Sequence, residues 1–220
     1  MKVLVFDTET TGLPTERNAS ILETHKWPYI VQLSYLIYDT EMRIVLDCVD
    51  RIIKLPPGIT IPREAENIHK ISNEISQAKG VDIKQELIEF TRQTLNVDLI
   101  VAHNISFDKN MVMVECERHY IGYNFTKNGN RIPEYCTMKN SINLCKIVRH
   151  YKNGDEYYKF PKLMELHQHL FNTVPEGLHN SMVDVLACLR CYGKMKLDLD
   201  LTKGFAATSL YPFELQLNTI

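Results

Sequence analysis

No apolar run among the 220 residues approaches the roughly 18–20 needed to cross a bilayer. The opening Met1-Lys2-Val3-Leu4-Val5-Phe6 is apolar but stops at Asp7 and Glu9, short of a secretory signal, and no small-residue cleavage site follows. Nine glycines and nine prolines exclude collagen-like or linker-like character. Six cysteines (Cys48, Cys116, Cys136, Cys145, Cys188, Cys191) are too sparse for a disulfide scaffold. Reduced thiols in a soluble, intracellular protein, cytoplasmic or nuclear, are expected. Cys188 and Cys191 form one C-x-x-C inside an apolar-periodic stretch with no matching second pair, which reads as two helix-face thiols rather than a zinc site. With a net charge of −2, no global basic field marks a polyanion binder.

The charge is nevertheless uneven. Residues 117–163 carry nine bases against four acids, a net +5 that leaves −7 elsewhere. Such a stretch either guides a polyanion or is a solvated face, and both readings stand. A composition of 45% hydrophobic and 24% charged residues fits one well-filled domain. Residues 2–8 read as a buried strand, and 29–39 and 43–54 as an antiparallel hairpin. Helices are predicted over 63–70 and 82–95, the second with Ile83, Leu87, Ile88 and Leu95 on one face, then a buried strand over 98–103 and a helix over 106–119. A Gly/Asn-rich loop (122–133) leads to a short strand at 135–136, with helices over 138–149, 161–171 and 180–196. The order βββ-α-β-α-β-α predicts an α/β layer structure on a mixed sheet, with a domain over 1–197 and an aperiodic tail, 198–220, of unknown role.

Three clusters carry chemistry. In Phe6-Asp7-Thr8-Glu9-Thr10-Thr11-Gly12-Leu13, strand alternation points Asp7 and Glu9 to the same side, where two carboxylates repel and call for a hard cation such as Mg²⁺ or Mn²⁺. The triplet recurs as Asp39-Thr40-Glu41, but at a predicted hairpin, where polar residues are ordinary; position at the end of a buried strand distinguishes the first copy. His103-Asn104-Ile105-Ser106-Phe107-Asp108 follows the next buried strand, with Ser106 as the expected N-cap and Asp108 in the first turn. His179-Asn180-Ser181-Met182-Val183-Asp184 opens the last helix. Alone, each first-turn Asp reads as dipole compensation and His179 as a loop residue. Together, Asp7, Glu9, Asp108, His179 and Asp184 stand at strand ends and helix starts, where α/β folds gather ligand sites. Four carboxylates and an imidazole suit two-cation phosphodiester hydrolysis, with a neutral His taking the proton of the attacking water.

These motifs, FDTETTGL, HNISFDKNM and HNSMVDVLACLRCYGKM in that order, resemble those of the DEDDh 3′–5′ exonucleases, which include the proofreading subunit of bacterial DNA polymerase III. Four residues separate His179 from Asp184, as in the family's histidine branch. Residues 30–33, 68–71 and 135–138 also resemble family landmarks, and the likeness covers roughly 2–196. The resemblance implies an RNase H-like fold, a mixed five-stranded sheet flanked by helices. It implies release of nucleoside 5′-monophosphates from 3′ ends of single-stranded DNA or RNA, with two divalent cations, Mg²⁺ or Mn²⁺. Asp7, Glu9 and Asp184 would hold one cation, Asp7 would bridge to a second supported by Asp108, and His179 would be the general base. Thr10 and Leu13 would touch the terminal nucleotide, Leu13 as a wedge between bases, and His103, Asn104 and Phe107 would line the same groove. On the residues alone, Leu13 and Phe107 also read as core and Asn104 as a turn. Cys136-Thr137 departs from a common Asp-Thr, and residues 151–160 have no family counterpart. With Tyr151, Tyr157, Tyr158 and Phe160 near lysines, that segment reads either as a platform for single-stranded bases or as a plain surface hairpin. A non-catalytic nucleic-acid or partner-binding module is the alternative function, though a pure binder has no need for five such residues. An aspartyl-phosphate phosphatase would want Asp rather than Glu at position 9. Neither DNA against RNA nor a polymerase or homodimer partner is readable.

Overall fold

The computed structural model describes residues 1–123 and 125–201. Strand β1 (Lys2–Thr10) is followed by a 3-10 turn at Thr24–Lys26 and by the hairpin of β2 (Ile30–Asp39) and β3 (Ile44–Ile52). Helices α1 (Arg63–His69), α2 (Asn73–Lys79) and α3 (Ile83–Thr94) lead to β4 (Leu99–Ala102) and α4 (Ile105–Arg118). A small hairpin, β5 (Thr126–Lys127) with β6 (Asn130–Arg131), precedes β7 (Glu134–Cys136). Short helices α5 (Thr137–Asn140) and α6 (Ile142–Cys145), the hairpin β8 (Val148–His150) and β9 (Glu156–Tyr158), and helices α7 (Leu163–Phe171) and α8 (Ser181–Leu197) complete the described chain.

The central sheet has the order β3-β2-β1-β4-β7, with β2 antiparallel to its neighbours and β4 and β7 parallel to β1, the mixed five-stranded sheet expected. β1 is central, so both of its faces are covered and it reads as a continuous apolar run before its acids. Alternation divides the core. Leu4 and Phe6 pack with Leu87 and Phe90 of α3 and Met111 and Val112 of α4. Val3 and Val5 pack with Val185, Leu186 and Leu189 of α8 on the opposite face. Asp7 and Glu9, odd like Val3 and Val5, therefore face α8, while Thr8 faces α4.

Several local expectations are corrected. The buried stripe of α3 is Ile83, Leu87, Phe90 and Thr94, whereas Ile88 and Leu95 are exposed. α2 escaped the apolar pattern because its inward residue is Ser76, whose hydroxyl donates to Ile53 O and accepts from Leu55 N. The helix expected over 138–149 breaks into α5 and α6 and ends at Lys146, which turns left-handed (φ 47°) so that 148–150 can pair with 156–158. Residues 151–160 thus lie in an exposed hairpin and its exit. α4 begins at Asn104, itself left-handed, and Ser106 lies inside the helix rather than capping it.

After α8 the chain does not leave the body at once. Asp198 caps the helix in a left-handed turn, Arg190 pairs bidentately with Asp200 (2.9 and 3.1 Å), and Leu201 is buried against Gly193. A Cβ on Gly193 would lie 2.7 Å from Leu201 Cγ, so only glycine leaves this notch open. The rest of the expected tail, 202–220, lies outside the described residues. No described helix is long and apolar enough to cross a membrane. All six cysteines are free thiols, with Cys188 and Cys191 buried on α8.

Candidate active site

β1 delivers Asp7 and Glu9 to the end of the sheet, and the first turn of α8 delivers Asp184 to the same place. One carboxylate oxygen from each of Asp7, Glu9 and Asp184 lies within 4.8 Å of the others. α8 is anchored there by polar contacts. The Asn180 side chain accepts from Met182 N and Val183 N, Ser181 Oγ donates to Asp7 O (2.7 Å), and Ser181 N donates to Gln32 Oε1 (3.2 Å). His179 takes a left-handed conformation (φ 71°), and its backbone N–H donates to Asp184 Oδ2 (3.2 Å) while its side chain is exposed. The first and last members of the third motif are thereby tied through the main chain. Asp108 approaches from α4 and is buried, its Oδ1 accepting from both the N–H (3.1 Å) and the hydroxyl (2.8 Å) of Thr8. All four carboxylates therefore meet at the β1 terminus, three of them close enough to share one ligand.

The electrostatics follow from burial and crowding. Burial raises the Asp7 carboxyl to about 7, with the nearby Ser181 hydroxyl pulling the other way. Burial, then the neighbouring Asp7, Asp184 and Asp108, raise Glu9 to about 9. Burial and Asp7 raise Asp184 to about 8, opposed by the His179 N–H, and the same two causes raise Asp108 against its Thr8 hydrogen bonds. Asp184 Oδ1 is buried with no hydrogen-bond partner among the described residues. An all-oxygen donor set that resists ionisation, with one oxygen unsatisfied, fits hard divalent cations.

The other expected site residues surround this cluster. Thr10 is buried, its hydroxyl donating to Gly12 O (2.7 Å). Leu13 is 77% exposed, which ends its reading as core. Phe107 is half-buried against the core, and Asn104 holds the left-handed turn at the start of α4. His103 has both ring nitrogens engaged, Nδ1 with Thr137 Oγ1 and Nε2 with Pro161 O, each at 3.0 Å. Burial lowers its pKa to about 4, so it is neutral; Nε2–H donates to the Pro161 carbonyl, and Nδ1 accepts from Thr137.

Sequence reasoning passed over several supporting groups. Thr8 holds Asp108, Ser181 and Gln32 hold α8 to the sheet, and Thr137 orients His103. Thr8 and Ser181 lie within motifs already singled out, but an uncharged donor gives no signal until its partner is seen. His69 of α1 is buried, accepts from Ile71 N at Nδ1 (3.1 Å), and lies beside the backbone of Thr10. Arg118, counted among the cations of 117–163, donates to Pro28 O, Thr24 O, Trp27 O and Glu115 Oε1, and so is a clamp on the β1–β2 connection rather than a polyanion contact.

Residues 4–192 match the RNase_T family, described as an exonuclease family. Among solved structures, the chain resembles Escherichia coli Exonuclease I in complex with a dT13 oligonucleotide, at 15% identity and a TM-score of 0.64, over 90% of this chain and 42% of that one. It also resembles a moderately thermophilic Exonuclease I from Methylocaldum szegediense, at 15% identity and a TM-score of 0.61, over 91% of this chain and 42% of that one. The zinc-bound E. coli ExoI–ssDNA complex matches at 14% identity and a TM-score of 0.62, over 89% and 41%. The chain thus spans about two fifths of the length of these structures. No curated protein matches it.

Proposed function

The chain belongs to the exonuclease family, of DEDDh type and RNase H-like fold, and from that premise we propose that it hydrolyses single-stranded nucleic acid from the 3′ end, releasing nucleoside 5′-monophosphates. The observation that carries this reading is the meeting of Asp7, Glu9 and Asp184 within 4.8 Å at the end of β1, with Asp108 beside them. The single-stranded oligonucleotides in the Exonuclease I complexes support the substrate class, and the zinc-bound form supports a divalent cation.

Asp7, Glu9 and Asp184 would hold one Mg²⁺ or Mn²⁺, and Asp7 with Asp108, directly or through water, would hold a second. Bound there, such cations neutralise charge developing on the phosphoryl oxygens and acidify a bound water. The chain's own groups do the remaining tasks. Thr8 and Ser181 fix the two flanks of the acid cluster, so its shape does not have to be assembled when substrate arrives. His179, exposed and tethered to Asp184 through its own N–H, accepts a proton from the attacking water. Thr10, Asn104 and Phe107 border the terminal nucleotide, and Leu13 is free to wedge beneath its base. His103 contributes shape rather than a hydrogen bond, because both its nitrogens are already engaged.

Digestion of matched 5′-labelled single-stranded DNA and RNA with Mg²⁺, beside Asp184→Asn and a chelated control, tests the reading. A ladder shortening from the 3′ end, absent from both controls, is expected, and the relative rates identify the preferred sugar. An undegraded substrate with Mg²⁺ and with Mn²⁺ would reject it.

A further inference from the structure

The β8–β9 hairpin buries nothing. Every residue from Val148 to Tyr158 is exposed, and Tyr151, Tyr158 and Phe160 are 56%, 45% and 52% exposed. A two-stranded ribbon gains little from aromatic residues it leaves in water, so their place needs a cause outside the core. Register sorts them. Arg149 pairs with Tyr157, so the two share a face, and Tyr151, two residues beyond Arg149, joins them with its ring 4.3 Å from that of Tyr157. One face of the ribbon is thus a pair of packed rings beside a guanidinium. Its turn is set by Gly154 (φ 92°) and closed by Tyr151 N donating to Asp155 O (2.8 Å). Among the described residues, Arg149, Lys152 and Lys162 have no ion-pair partner, while Lys159 is held by Glu165 (2.7 Å) and fixes the hairpin exit to α7.

The hairpin is also joined to the acid cluster. Its exit runs through Phe160 to Pro161, whose carbonyl accepts from His103 Nε2 at 3.0 Å. β4 pairs with β1, Val3 with Leu99 and Val5 with Val101, and His103 follows its last residue, Ala102, at the end of the sheet to which β1 brings Asp7. The ribbon is thus rooted at the end of the sheet that carries the acid cluster. We propose that the aromatic and basic face of this hairpin, Arg149, Tyr151 and Tyr157, is a stacking platform for single-stranded nucleic acid upstream of the 3′ terminus. This deepens the proposed exonuclease function and rests on it for the polarity of the strand. Stacked rings accept any base, and unpaired cations meet the phosphates, so the platform grips without reading sequence. The acidic cluster repels an approaching polyanion, and a basic, aromatic ribbon at its margin offsets that repulsion.

Two measurements test it together. In the first, hydrolysis of a trinucleotide and of a long single-stranded oligonucleotide is compared between wild type and an Arg149→Ala, Tyr157→Ala double variant. The KM for the long substrate is expected to rise about tenfold with kcat unmoved, and the preference for long over short substrate to vanish. In the second, Tyr151→Trp is titrated with the same oligonucleotide in chelator, where nothing is cut; saturable quenching is expected, since the one natural tryptophan, Trp27, is buried. Unchanged KM values with unquenched fluorescence would overturn the platform and leave the exonuclease standing. Quenching without any hydrolysis by wild type would overturn the exonuclease and keep a nucleic-acid-binding hairpin.

Discussion

Asp-Thr-Glu occurs at residues 7–9 and again at 39–41, at opposite ends of the same antiparallel pair, since Lys2 of β1 faces Asp39 of β2. At 39–41 the chain turns, and Asp39 Oδ1 accepts from the N–H groups of Glu41 (2.9 Å) and Met42 (3.0 Å). Those donors hold its carboxyl below the usual carboxylate range, and Glu41 pairs with the amino terminus (2.9 Å). At 7–9 the backbone stays extended along β2, the Thr8 N–H goes to Asp108 rather than to Asp7 or Glu9, and burial with mutual repulsion drives the same side-chain types upward. One copy is satisfied by its own main chain. The other is left needing positive charge from elsewhere. What separates the acids of the turn from those of the candidate site is the supply of local donors, not residue identity.

Removing one charge from the acid cluster gives the largest contrast with the turn at 39–41. Asp7→Asn or Asp184→Asn is expected to drop nuclease turnover to the level of chelated wild type and yet to raise the melting temperature of the metal-free protein at pH 8, because a buried charge is removed. Calorimetry beside a nuclease assay checks both signs. His179→Ala comes next, with turnover down by roughly 10²–10⁴-fold and an unchanged melting temperature, since its structural contact is a backbone N–H.

The two copies also predict opposite responses to pH. The raised carboxyls of Asp7, Asp184 and Glu9 keep their protons in the folded chain at pH values where the unfolded chain has lost them. Metal-free stability therefore falls as pH rises from about 4 to about 9, and Mg²⁺ restores it most at the alkaline end. The lowered carboxyl of Asp39 contributes above its unfolded value of 3.8 and loses that contribution as pH falls below it. Melting curves from pH 3 to 9, with and without Mg²⁺, separate the two. The smallest effect is expected of Asp39→Ala, a slight fall in melting temperature with nuclease rates unmoved. A large fall in rate there would erase the distinction between the copies.

Most of the candidate site was legible because its residues are charged and stand where apolar runs end. β1, β4, α4 and α8 each announce themselves by periodicity, and Asp7, Asp108 and Asp184 stand at their termini. The supporting groups were not legible, because Thr8, Ser181, Gln32 and Thr137 are uncharged and acquire meaning only from partners up to 174 positions away. α2 was hidden by the inward hydroxyl of Ser76, and the break after α6 by the left-handed turn at Lys146, a residue with no special liking for it. The charge of 117–163 misled in one respect. A sum over sequence weighs the clamped Arg118 and the paired Lys159 equally with the open Arg149.

The notch at Gly193 sets how short a fragment can be before the end of α8 loses its packing. A gene fragment ending where the family match ends, at residue 192, would lose the notch itself. One ending at 197 would keep α8 but strip Leu201 from its seat and Asp200 from Arg190, leaving an oily socket and a guanidinium without its carboxylate on the helix whose other end carries Asp184. A fragment meant to keep the end of α8 packed therefore runs at least through codon 201.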